Sequence, residues 1–392
     1  MAEAYIVAAS RTAGGKRGGQ LSGWHPVDMA ASILDDLVTK TGADPAVVED
    51  VIMGCVSQVG EQSTNVARNS VLASCLPESV PGTSLDRQCG SSQQAVHFAS
   101  QAVMSGTMDI VIASGVESMT RVPMFTPSIL PQKNNLGFYV SPGVEENYPD
   151  VEFSQFIGAE MMAEKYDLSK EELDAFSLAS HQKAMQATNE GQFANEIVAL
   201  EKRDLDGLPT GEQCTIDEGI RFDASLEGIA GVKLLQQDGR ISAASASQIC
   251  DGATGVMIVN ENGLKKLGVE PIARIHHMTM IGHDPVIMLE APIPATEAAL
   301  KKAGMSIDDI DLFEVNEAFA SVPLAWLKET GADPERLNVN GGAIALGHPL
   351  GASGTKLMTT LVHALKNRNK RYGLQTMCEG GGMANVTIVE RL

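Results

Sequence analysis

Short and almost uninterrupted apolar runs recur along this chain and alternate with stretches of helical periodicity. Residues 109–113 form one such run and residues 255–259 form another. A strand that is buried on both faces has this pattern, because neither of its faces meets solvent. Residues 89–105 precede the first of these runs, and their apolar positions recur at helical spacing. The alternation predicts an α/β fold in which helices cover a sheet.

The last third of the chain repeats the plan of the first. A predicted strand at residues 311–315 and a predicted helix at 353–365 resume the alternation, which residues 121–150 interrupt with proline, glycine and asparagine. Cys89 and His348 each lie in a turn rich in glycine and serine that leads into a helix. We therefore expect two similar α/β halves around an inserted loop domain. The expected boundaries are residues 1–120 with 246–270 for the N-terminal half, 121–245 for the insertion and 271–392 for the C-terminal half.

The composition is that of a soluble globular protein, because 44% of the 392 residues are hydrophobic and 20% are charged. The formal net charge of −20 argues against nucleic acid as a partner, since phosphates need a basic footprint. A small anionic ligand needs only a local basic patch. No apolar stretch is long enough to cross a bilayer, and residues 1–19 lack the pattern of a signal peptide. We expect a cytoplasmic protein with no membrane partner.

The six cysteines predict neither a disulfide framework nor a metal site. They show no C-x-x-C pair and no cysteine/histidine spacing typical of zinc. In a large cytosolic chain such thiols are expected to be reduced, and most of them to be small buried apolar residues. They are Cys55, Cys75, Cys89, Cys214, Cys250 and Cys378.

Cys89 differs from a typical buried cysteine in its sequence neighbours. It follows the polar residues 86–88 and opens a predicted helix. The N-terminus of a helix stabilises a thiolate and lowers its pKa, and Gly90 leaves the sulfur open to approach. The alternative is a structural cysteine near a helix cap, and the local pattern leaves both interpretations open.

His348 and Cys378 lie in glycine-rich turns. Pro349 and the glycines around His348 would fix the imidazole in one place, where it could take a proton from a thiol. A turn histidine that bonds to backbone is the alternative. Cys378 is followed by Glu379 and by three glycines at 380–382, whose N–H groups could approach a ligand closely. A tight hairpin with a structural cysteine is the alternative there.

Asn316 lies where the predicted strand 311–315 meets a predicted helix. Asparagine is a favoured N-cap residue, and a cap is one interpretation. The other is a side-chain amide that orients a water or donates to an oxyanion. Ligands of open α/β sheets bind where elements end, as these segments do. Two thiols, an imidazole and an amide together suit acyl transfer through an acyl-cysteine.

Several motifs together resemble those of the thiolases, the acetyl-CoA acetyltransferases and 3-ketoacyl-CoA thiolases of the condensing-enzyme superfamily. They follow one another in family order and span nearly the whole chain. The matching segments are residues 11–19, 89–91, 115–119, 316–319, 341–349 and 378–382.

The resemblance implies a role for each of these side chains. It implies a nucleophile at Cys89, a base at His348, a second acid/base at Cys378 and a water-holding amide at Asn316. It also implies an oxyanion site made by the backbone N–H groups of Cys89 and Gly380.

The resemblance also implies the architecture and the partners. Thiolases have a five-layered αβαβα core of two similar halves, an inserted loop domain that holds coenzyme A, and a dimeric or tetrameric assembly. They use no metal and no redox cofactor, and coenzyme A is a substrate. Arg221 matches an arginine near the nucleotide, and Ser247 matches a serine that contacts the pantetheine arm.

The chain departs from the short-chain biosynthetic thiolases in the motifs near the acyl group. Residues 154–156, Ser-Gln-Phe, stand where those enzymes carry His-Met-Gly. Gln248 ends the segment that usually reads Asn-Ala-Ser-Gly, and Glu379 follows the second cysteine in place of an aliphatic residue. The alternation of a strand suggests that Glu379 points away from Cys378, toward a basic partner.

The expected activity is thiolytic cleavage of a 3-oxoacyl-CoA to acetyl-CoA and a shortened acyl-CoA, in a degradative direction. A longer, branched or polar acyl group is expected from the altered motifs. One alternative is a biosynthetic enzyme that forms acetoacetyl-CoA. A second is a condensing synthase for carrier-protein thioesters, against which Cys378 argues. A third is a non-catalytic acyl-CoA binding protein, against which Cys89 and His348 argue.

Overall fold

The computed structural model describes residues 2–392. Strands and helices alternate along the chain, and the strands form two sets, each of which is flanked by helices. The strands are β1 (Tyr5–Thr12), β2 (Gly15–Lys16), β3 (Asp50–Gly54), β4 (Gly82–Leu85), β5 (Ile110–Ser118), β6 (Ile197–Val198), β7 (Leu200–Arg203), β8 (Pro209–Cys214), β9 (Cys250–Val259), β10 (Ala273–Gly282), β11 (Leu312–Val315), β12 (Tyr372–Glu379) and β13 (Met383–Arg391).

The helices connect these strands and build the inserted segment. They are α1 (Pro26–Thr41), α2 (Val66–Ala73), α3 (Ser91–Ser105), α4 (Thr126–Lys133), α5 (Pro142–Asn147), α6 (Gln155–Lys165), α7 (Lys170–Asn189), α8 (Leu226–Ala230), α9 (Glu261–Leu267), α10 (Pro292–Ala303), α11 (Ser321–Thr330), α12 (Ala343–Leu346) and α13 (Ser353–Asn367). Short 3-10 turns lie at Pro45–Val47, Gly60–Gln62, Ile307–Asp309, Pro334–Arg336 and Leu350–Ala352.

The strand pairing repeats itself in the two halves of the molecule. In the N-terminal half, β1 pairs antiparallel with β9, β9 antiparallel with β5, and β5 parallel with β3, which pairs parallel with β4. In the C-terminal half, β10 and β13 pair antiparallel, β13 and β12 antiparallel, and β12 and β11 parallel. A parallel bridge from Phe313 to Leu337 continues this second pattern at its edge. The repeated pairing agrees with the two similar halves that the sequence suggests.

Five layers follow from the way helices cover these strands. Helix α1 packs on the outer face of the N-terminal strands, and α10 and α11 pack on the outer face of the C-terminal ones. Helices α3 and α13 lie between the two sets of strands and contact each other. They are joined there by buried side chains of both sheets, such as Val256 of β9 and Val389 of β13. The two sets of strands touch through a short antiparallel pairing of β1 with β10.

The inserted segment combines helices with a small hairpin. Ser169 and Glu172 form a capping box that opens α7, and their Ser-x-x-Glu spacing is the usual sequence pattern of such a box. Strands β7 and β8 form a separate two-stranded sheet, whereas β6 pairs with β1 of the core. The short helix α8 follows this hairpin. The exact domain boundaries at residues 121, 246 and 271 stay a prediction.

A buried ionic cluster fastens the inserted segment to the core. Arg11 of β1 is fully buried and donates from Nη1 to Asp217 Oδ1 at 2.7 Å and from Nε to Glu196 Oε1 at 2.6 Å. A buried guanidinium needs such partners, because an unpaired charge in the interior is costly. Asp217 also accepts the backbone N–H of Gly14 at 2.7 Å. This cluster fixes the start of the segment that carries Arg221.

Two expectations about helix starts are wrong. The helix after β11 begins at Ser321 and not at Asn316, so Asn316 is not its N-cap. Helix α3 begins at Ser91, with Gly90 as its N-cap, so Cys89 lies in the turn before the helix. Among residues 2–392, no helix is both long enough and apolar enough to span a membrane.

Candidate active site

The turn that carries Cys89 is held in an unusual backbone conformation. Gln88 has a φ of 49°, which lies in the left-handed region that few side chains adopt. The hydroxyl of Ser91 stabilises this turn, since it accepts the N–H of Arg87 at 2.9 Å and donates to the carbonyl of Gln88 at 2.6 Å. The strained residue thus directly precedes the thiol, as it often does at functional sites.

The environment of Cys89 raises its pKa. Burial is the largest cause, the carboxylate of Glu379 is the next, and together they bring the pKa to about 12. The expectation of a lowered pKa at the helix start is therefore wrong. Cys89 is partly exposed to the cavity, but desolvation by the protein around it still outweighs the helix N-terminus, whose first turn begins beyond the cysteine. Cys89 is a neutral thiol at pH 7 and needs a base to become a nucleophile.

His348 is a neutral base with a defined tautomer. Its Nδ1 lies 2.5 Å from Oγ of Ser353, and that hydroxyl donates its own proton to the carbonyl of Pro349 at 2.9 Å. In this arrangement Ser353 accepts from Nδ1–H, and Nε2 carries the lone pair of the ring. Burial and the nearby Lys356 ammonium lower the pKa of His348 to about 3. The imidazole is thus neutral and able to accept a proton.

The backbone before His348 is fixed by a buried lysine. Lys356 is 4% exposed and donates from Nζ to the carbonyl of Gly347 at 3.1 Å and to the carbonyl of Leu346. Gly347 has a φ of 81°, and a Cβ on it would lie 2.6 Å from Sγ of Cys250. Only glycine fits this turn, which sets the direction of the imidazole.

Asn316 is a neighbour of the imidazole and not a helix cap. Its Nδ2 lies 3.4 Å from Nε2 of His348. Its Oδ1 is buried and has no hydrogen-bond partner within the described chain. A buried amide oxygen without a partner is unusual, and it offers an acceptor to a bound water or thiol.

Cys378 and Gly380 end β12 beside the same turn. Burial raises the pKa of the Cys378 thiol well above its usual value, and Cys89 contributes to the rise, so the two sulfurs lie close enough to interact. Gly380 packs against Gln88, whose Oε1 would lie 3.0 Å from an added Cβ. Over residues 2–392, the backbone N–H groups of Cys89 and Gly380 donate to no protein acceptor. Both are therefore free to bind a ligand oxygen.

A cavity of about 950 Å³ brings these groups together. It is lined by Cys89, His348, Cys378 and Gly380, and Ser247 lines it as well. Asn316 lies behind His348 and is not part of the lining. The volume is at the upper end of the range for small-molecule sites. The predicted site residues therefore converge on one ligand-sized cavity.

The mouth of the cavity is basic although the chain is acidic. Lys16, Arg17 and Arg221 line it. Arg221 is exposed, and its backbone N–H donates to Nδ1 of His181 at 3.3 Å. This is the local basic patch that a phosphate-bearing ligand requires.

The residues that depart from the short-chain motifs differ in their position relative to the cavity. Phe156 lines the cavity and contacts Phe319 edge to face, with ring centroids 5.8 Å apart. Gln248 also lines it, but its amide donates to the carbonyls of Gly219 and Ile344, at 2.8 and 2.7 Å. Gln248 therefore joins the inserted segment to the C-terminal half.

Glu379 lies outside the cavity and is completely buried behind Cys89. The sequence suggested that Glu379 points away from Cys378 toward a basic partner; the side chain does lie outside the cavity that Cys378 lines, but it forms no ion pair within residues 2–392. Arg87 is the basic group whose charge lowers the pKa of Glu379. No ion pair within 4.0 Å joins these two residues in the described chain. Burial raises the pKa of Glu379 to about 8.

Sequence reasoning missed Ser353 and Lys356 as parts of this site. Both lie on α13, five and eight residues after His348. In the part of the chain that the structure describes, no cluster of three metal-ligating side chains occurs.

Comparison with known proteins places this architecture and this site in one family. Residues 4–262 match the family model "Thiolase, N-terminal domain", and residues 269–391 match "Thiolase, C-terminal domain". The steroid 3-ketoacyl-CoA thiolase FadA6 of Mycobacterium tuberculosis is 52% identical, over 100% of this chain and 95% of that protein. A 3-ketoacyl-CoA thiolase of Aliivibrio fischeri is 41% identical, over 93% of this chain and 92% of its own.

A solved structure supports the same assignment. The acetyl-CoA acetyltransferase of Bacillus anthracis superimposes with a TM-score of 0.91 at 34% identity, and the match covers 100% of this chain and 99% of that one. The five-layered fold expected from the sequence is thereby confirmed. With a cysteine, a neutral histidine and a second cysteine around one cavity, the chain belongs to the thiolase family of acyltransferases.

Proposed function

We propose that this thiolase cleaves 3-oxoacyl-CoA substrates whose acyl group is bulky and polycyclic. One observation carries the proposal: the cavity that contains Cys89, His348 and Cys378 has a wall built of aromatic and methionine side chains. Such a wall suits a large rigid apolar group, and methionines adapt to its outline. The wall residues are Met119, Met124, Phe125, Tyr139, Tyr148, Phe153, Phe156, Met288 and Phe319.

The relatives support this choice of substrate. The 52% identical protein is named for steroid 3-ketoacyl-CoA. The acyl group of acetoacetyl-CoA, the smallest 3-oxoacyl-CoA, offers little apolar surface to the aromatic and methionine wall of this cavity. This enzyme would thus differ from short-chain thiolases in the size of the acyl group that it accepts.

The first half of the proposed reaction forms an acyl-cysteine. His348 Nε2 takes the proton of the Cys89 thiol, and the thiolate attacks the 3-keto carbon. The backbone N–H groups of Cys89 and Gly380, which have no backbone acceptor among residues 2–392, would hold the oxyanion. The C2–C3 bond then breaks, and the enolate of acetyl-CoA takes its proton from Cys378.

The second half transfers the acyl group to coenzyme A. The proton on His348 passes to the Cys378 thiolate, which restores both groups. His348 then accepts the proton of the incoming coenzyme A thiol, with Asn316 Oδ1 as an acceptor that can orient it. The thiolate attacks the acyl-cysteine, and the proton returns to Cys89. The basic groups at the mouth, Arg221 among them, and the nearby Ser247 would bind the carrier arm of coenzyme A.

A panel of 3-oxoacyl-CoA substrates tests this proposal. Acetoacetyl-CoA, a medium-chain, a branched and a polycyclic 3-oxoacyl-CoA are compared by kcat/KM in thiolysis. We expect the polycyclic substrate to exceed acetoacetyl-CoA by at least about tenfold, since apolar contacts discriminate by such factors. Cys89→Ala should abolish turnover, whereas Cys75→Ser, at an exposed thiol, should not. Best activity on acetoacetyl-CoA would contradict the substrate and favour the biosynthetic alternative.

Location and assembly are proposed on separate grounds. All six cysteines are free in the structure, which suits a reducing compartment such as the cytoplasm. A dimer or tetramer is supported by the short edge strand β4 and by Phe98 of α3, an aromatic side chain that is 43% exposed. Light scattering of the purified protein tests the assembly, and a monomer at micromolar concentration would contradict it. Neither a metal nor a redox cofactor enters the proposed reaction.

A further inference from the structure

We propose that Glu379 is a positioning residue of this active site: its buried carboxyl spans the two backbone segments that carry the N–H groups of Cys89 and Gly380, and fixes their separation. The inference rests on the proposed thiolysis in one respect: the distance between the two N–H groups matters because they would hold the oxyanion of that reaction. The contacts of Glu379 are independent of any substrate.

Glu379 touches both sides of the proposed oxyanion site. It precedes Gly380 directly in the chain, and its side chain reaches across to the turn of Cys89. A Cβ on Gly90 would lie 1.9 Å from Oε1 of Glu379 and 2.6 Å from its Cδ. The carboxyl therefore packs against the Cα of Gly90 and fills the space that a side chain there would need. Moving this carboxyl would allow the two N–H groups to separate.

The carboxyl is held in the interior by few polar contacts. With its amide oriented to satisfy both neighbours, Asn385 of β13 donates to Oε1 of Glu379 at 3.1 Å and accepts the N–H of Gln94 at 3.3 Å. Oε2 of Glu379 is buried and has no partner within residues 2–392. A charged carboxylate with an unpaired oxygen is costly in such a place, whereas a protonated one is tolerated.

The titratable groups around this carboxyl are few. Arg87, in the turn before α3, lowers the pKa of Glu379. The charge of Glu379 in turn raises the pKa of the Cys89 and Cys378 thiols. Asp86 and Glu117 also act on Cys89. The remaining polar neighbours, Asn385 and Gln94, do not titrate. Burial raises the pKa of Glu379 to about 8, so the group is protonated at neutral pH.

Ionisation of Glu379 would oppose the reaction in two ways. A negative charge beside Cys89 raises the pKa of that thiol, and it disfavours an oxyanion held by the adjacent N–H groups. Turnover should therefore decline as the pH rises above about 8. The neutral form supports the site, and the charged form weakens it.

Two variants separate the shape of this group from its charge. Glu379→Gln keeps the length and cannot ionise, whereas Glu379→Asp ionises but is one methylene too short to reach Gly90. Glu314→Gln is the matched control, because Glu314 of β11 is also a buried carboxyl with a raised pKa and does not line the cavity.

The measurements are the pH dependence of kcat and the rate of iodoacetamide labelling at Cys89, located by mass spectrometry. We expect Glu379→Gln to keep kcat at pH 7 within about threefold and to lose the decline above pH 8. Its labelling rate at pH 9 should rise by up to about tenfold, the effect of one pKa unit. Glu379→Asp should lose at least about tenfold in kcat at pH 7 while KM for the acyl-CoA changes little.

Labelling distinguishes this inference from the substrate proposal, because it needs no acyl-CoA. The inference would be overturned if Glu379→Gln kept the decline of kcat above pH 8 and labelled Cys89 with the same pH dependence as the unaltered protein. Unchanged kcat in Glu379→Asp would overturn it as well. If Glu379→Asp loses its native circular dichroism, the two pH profiles of Glu379→Gln decide alone.

Discussion

The hydroxyl of Ser353 lies 2.5 Å from Nδ1 of His348, and it has already donated its own proton to the carbonyl of Pro349. This relationship favours the tautomer in which Nδ1 of the imidazole carries the proton. Nε2 then holds the lone pair, which faces Nδ2 of Asn316 at 3.4 Å. The site thus rests as a neutral thiol and a neutral base, and a charged pair forms only during reaction.

Ser353→Ala should slow the reaction through the tautomer of His348. Without the hydroxyl, Nδ1–H loses its acceptor and the ring can rotate or change tautomer. Loss of such an orienting partner costs about 10–100-fold in activity at comparable sites. We expect kcat for thiolysis and the labelling rate of Cys89 to fall together, because both need the same proton acceptor.

Thr359→Val is the control for Ser353→Ala. Thr359 lies on the same helix and is fully buried, but its hydroxyl has no partner in the described structure. The variant should keep kcat within about twofold, as expected for a change that breaks no hydrogen bond. Equal losses in the two variants would show that helix packing, and not the tautomer, is responsible.

Cys378→Ala should separate the two halves of the reaction. The second thiol is assigned to protonation of the enolate, a step that occurs only when a carbon–carbon bond breaks. The variant should therefore lose thiolysis by at least about 10²-fold, as is typical of a missing general acid. It should still accept an acyl group on Cys89 from a simple acyl-CoA, which mass spectrometry detects as an added acyl mass. Near-normal thiolysis would disprove the role.

The architecture of two similar halves could be predicted from the sequence because the patterns that indicate it lie within short stretches of the chain. Buried strands such as β5 and β9 leave runs of apolar residues, and the capping box at Ser169 marks the start of α7 directly. The convergence of the cavity residues was accessible only through the family motifs. No spacing in the chain indicates that residues 89 and 378 share one cavity.

The electrostatics of the site could not be predicted from the sequence. A helix start near Cys89 suggested a lowered pKa, but the pKa is set by burial and by Glu379, which is 290 positions away in the chain. For Asn316 the sequence left a helix cap and a functional amide open, because a strand followed by asparagine commonly marks a cap. Its tertiary position, with Nδ2 3.4 Å from Nε2 of His348, excludes the cap.

Phe156→Ala should reduce the preference for a polycyclic acyl group. Phe156 lines the cavity and is braced edge to face by Phe319, so its ring is a fixed apolar wall. Removing it should lower kcat/KM for the polycyclic substrate by about 10–100-fold, the effect of one lost apolar contact surface. The value for acetoacetyl-CoA should change by less than about threefold.

Leu205→Ala is the control for this substitution. Leu205 belongs to the same inserted segment and is 80% exposed, and it does not line the cavity. Both substrates should be cleaved as before in this variant. An equal loss on both substrates in Phe156→Ala would mean that the ring supports the site as a whole and does not select the acyl group.

Glu290 should stabilise the loop that forms one wall of the cavity, in a pH-dependent manner. This carboxylate is 6% exposed, accepts from Nε2 of His283 at 2.9 Å, and also binds Tyr166 and Lys165 at the end of α6. It thereby joins the helix of Phe156 to the loop that contains Met288. These partners outweigh the desolvation of the carboxylate and lower its pKa from 4.5 to about 2.

The sign of the pH effect follows from that lowered pKa. A carboxylate with a lower pKa in the folded state contributes stability that is complete above 4.5 and is lost as the pH falls from there toward about 2. Glu290→Gln should therefore lower the free energy of unfolding by about 2 kcal/mol at pH 7. The difference from the unaltered protein should shrink steadily below pH 4.5, because the carboxylate of the unaltered protein loses its advantage there.

Urea unfolding followed by tryptophan fluorescence measures this difference, since Trp326 is fully buried in the same half of the molecule. Glu297→Gln is the matched control, because Glu297 lies on α10 and is exposed, and it should change stability by less than about 0.5 kcal/mol. A loss in Glu290→Gln that stays constant from pH 7 to pH 3.5 would show that packing, and not the charge of Glu290, holds the loop. A loss that shrinks with acidification would tie the shape of the acyl cavity to a single buried carboxylate.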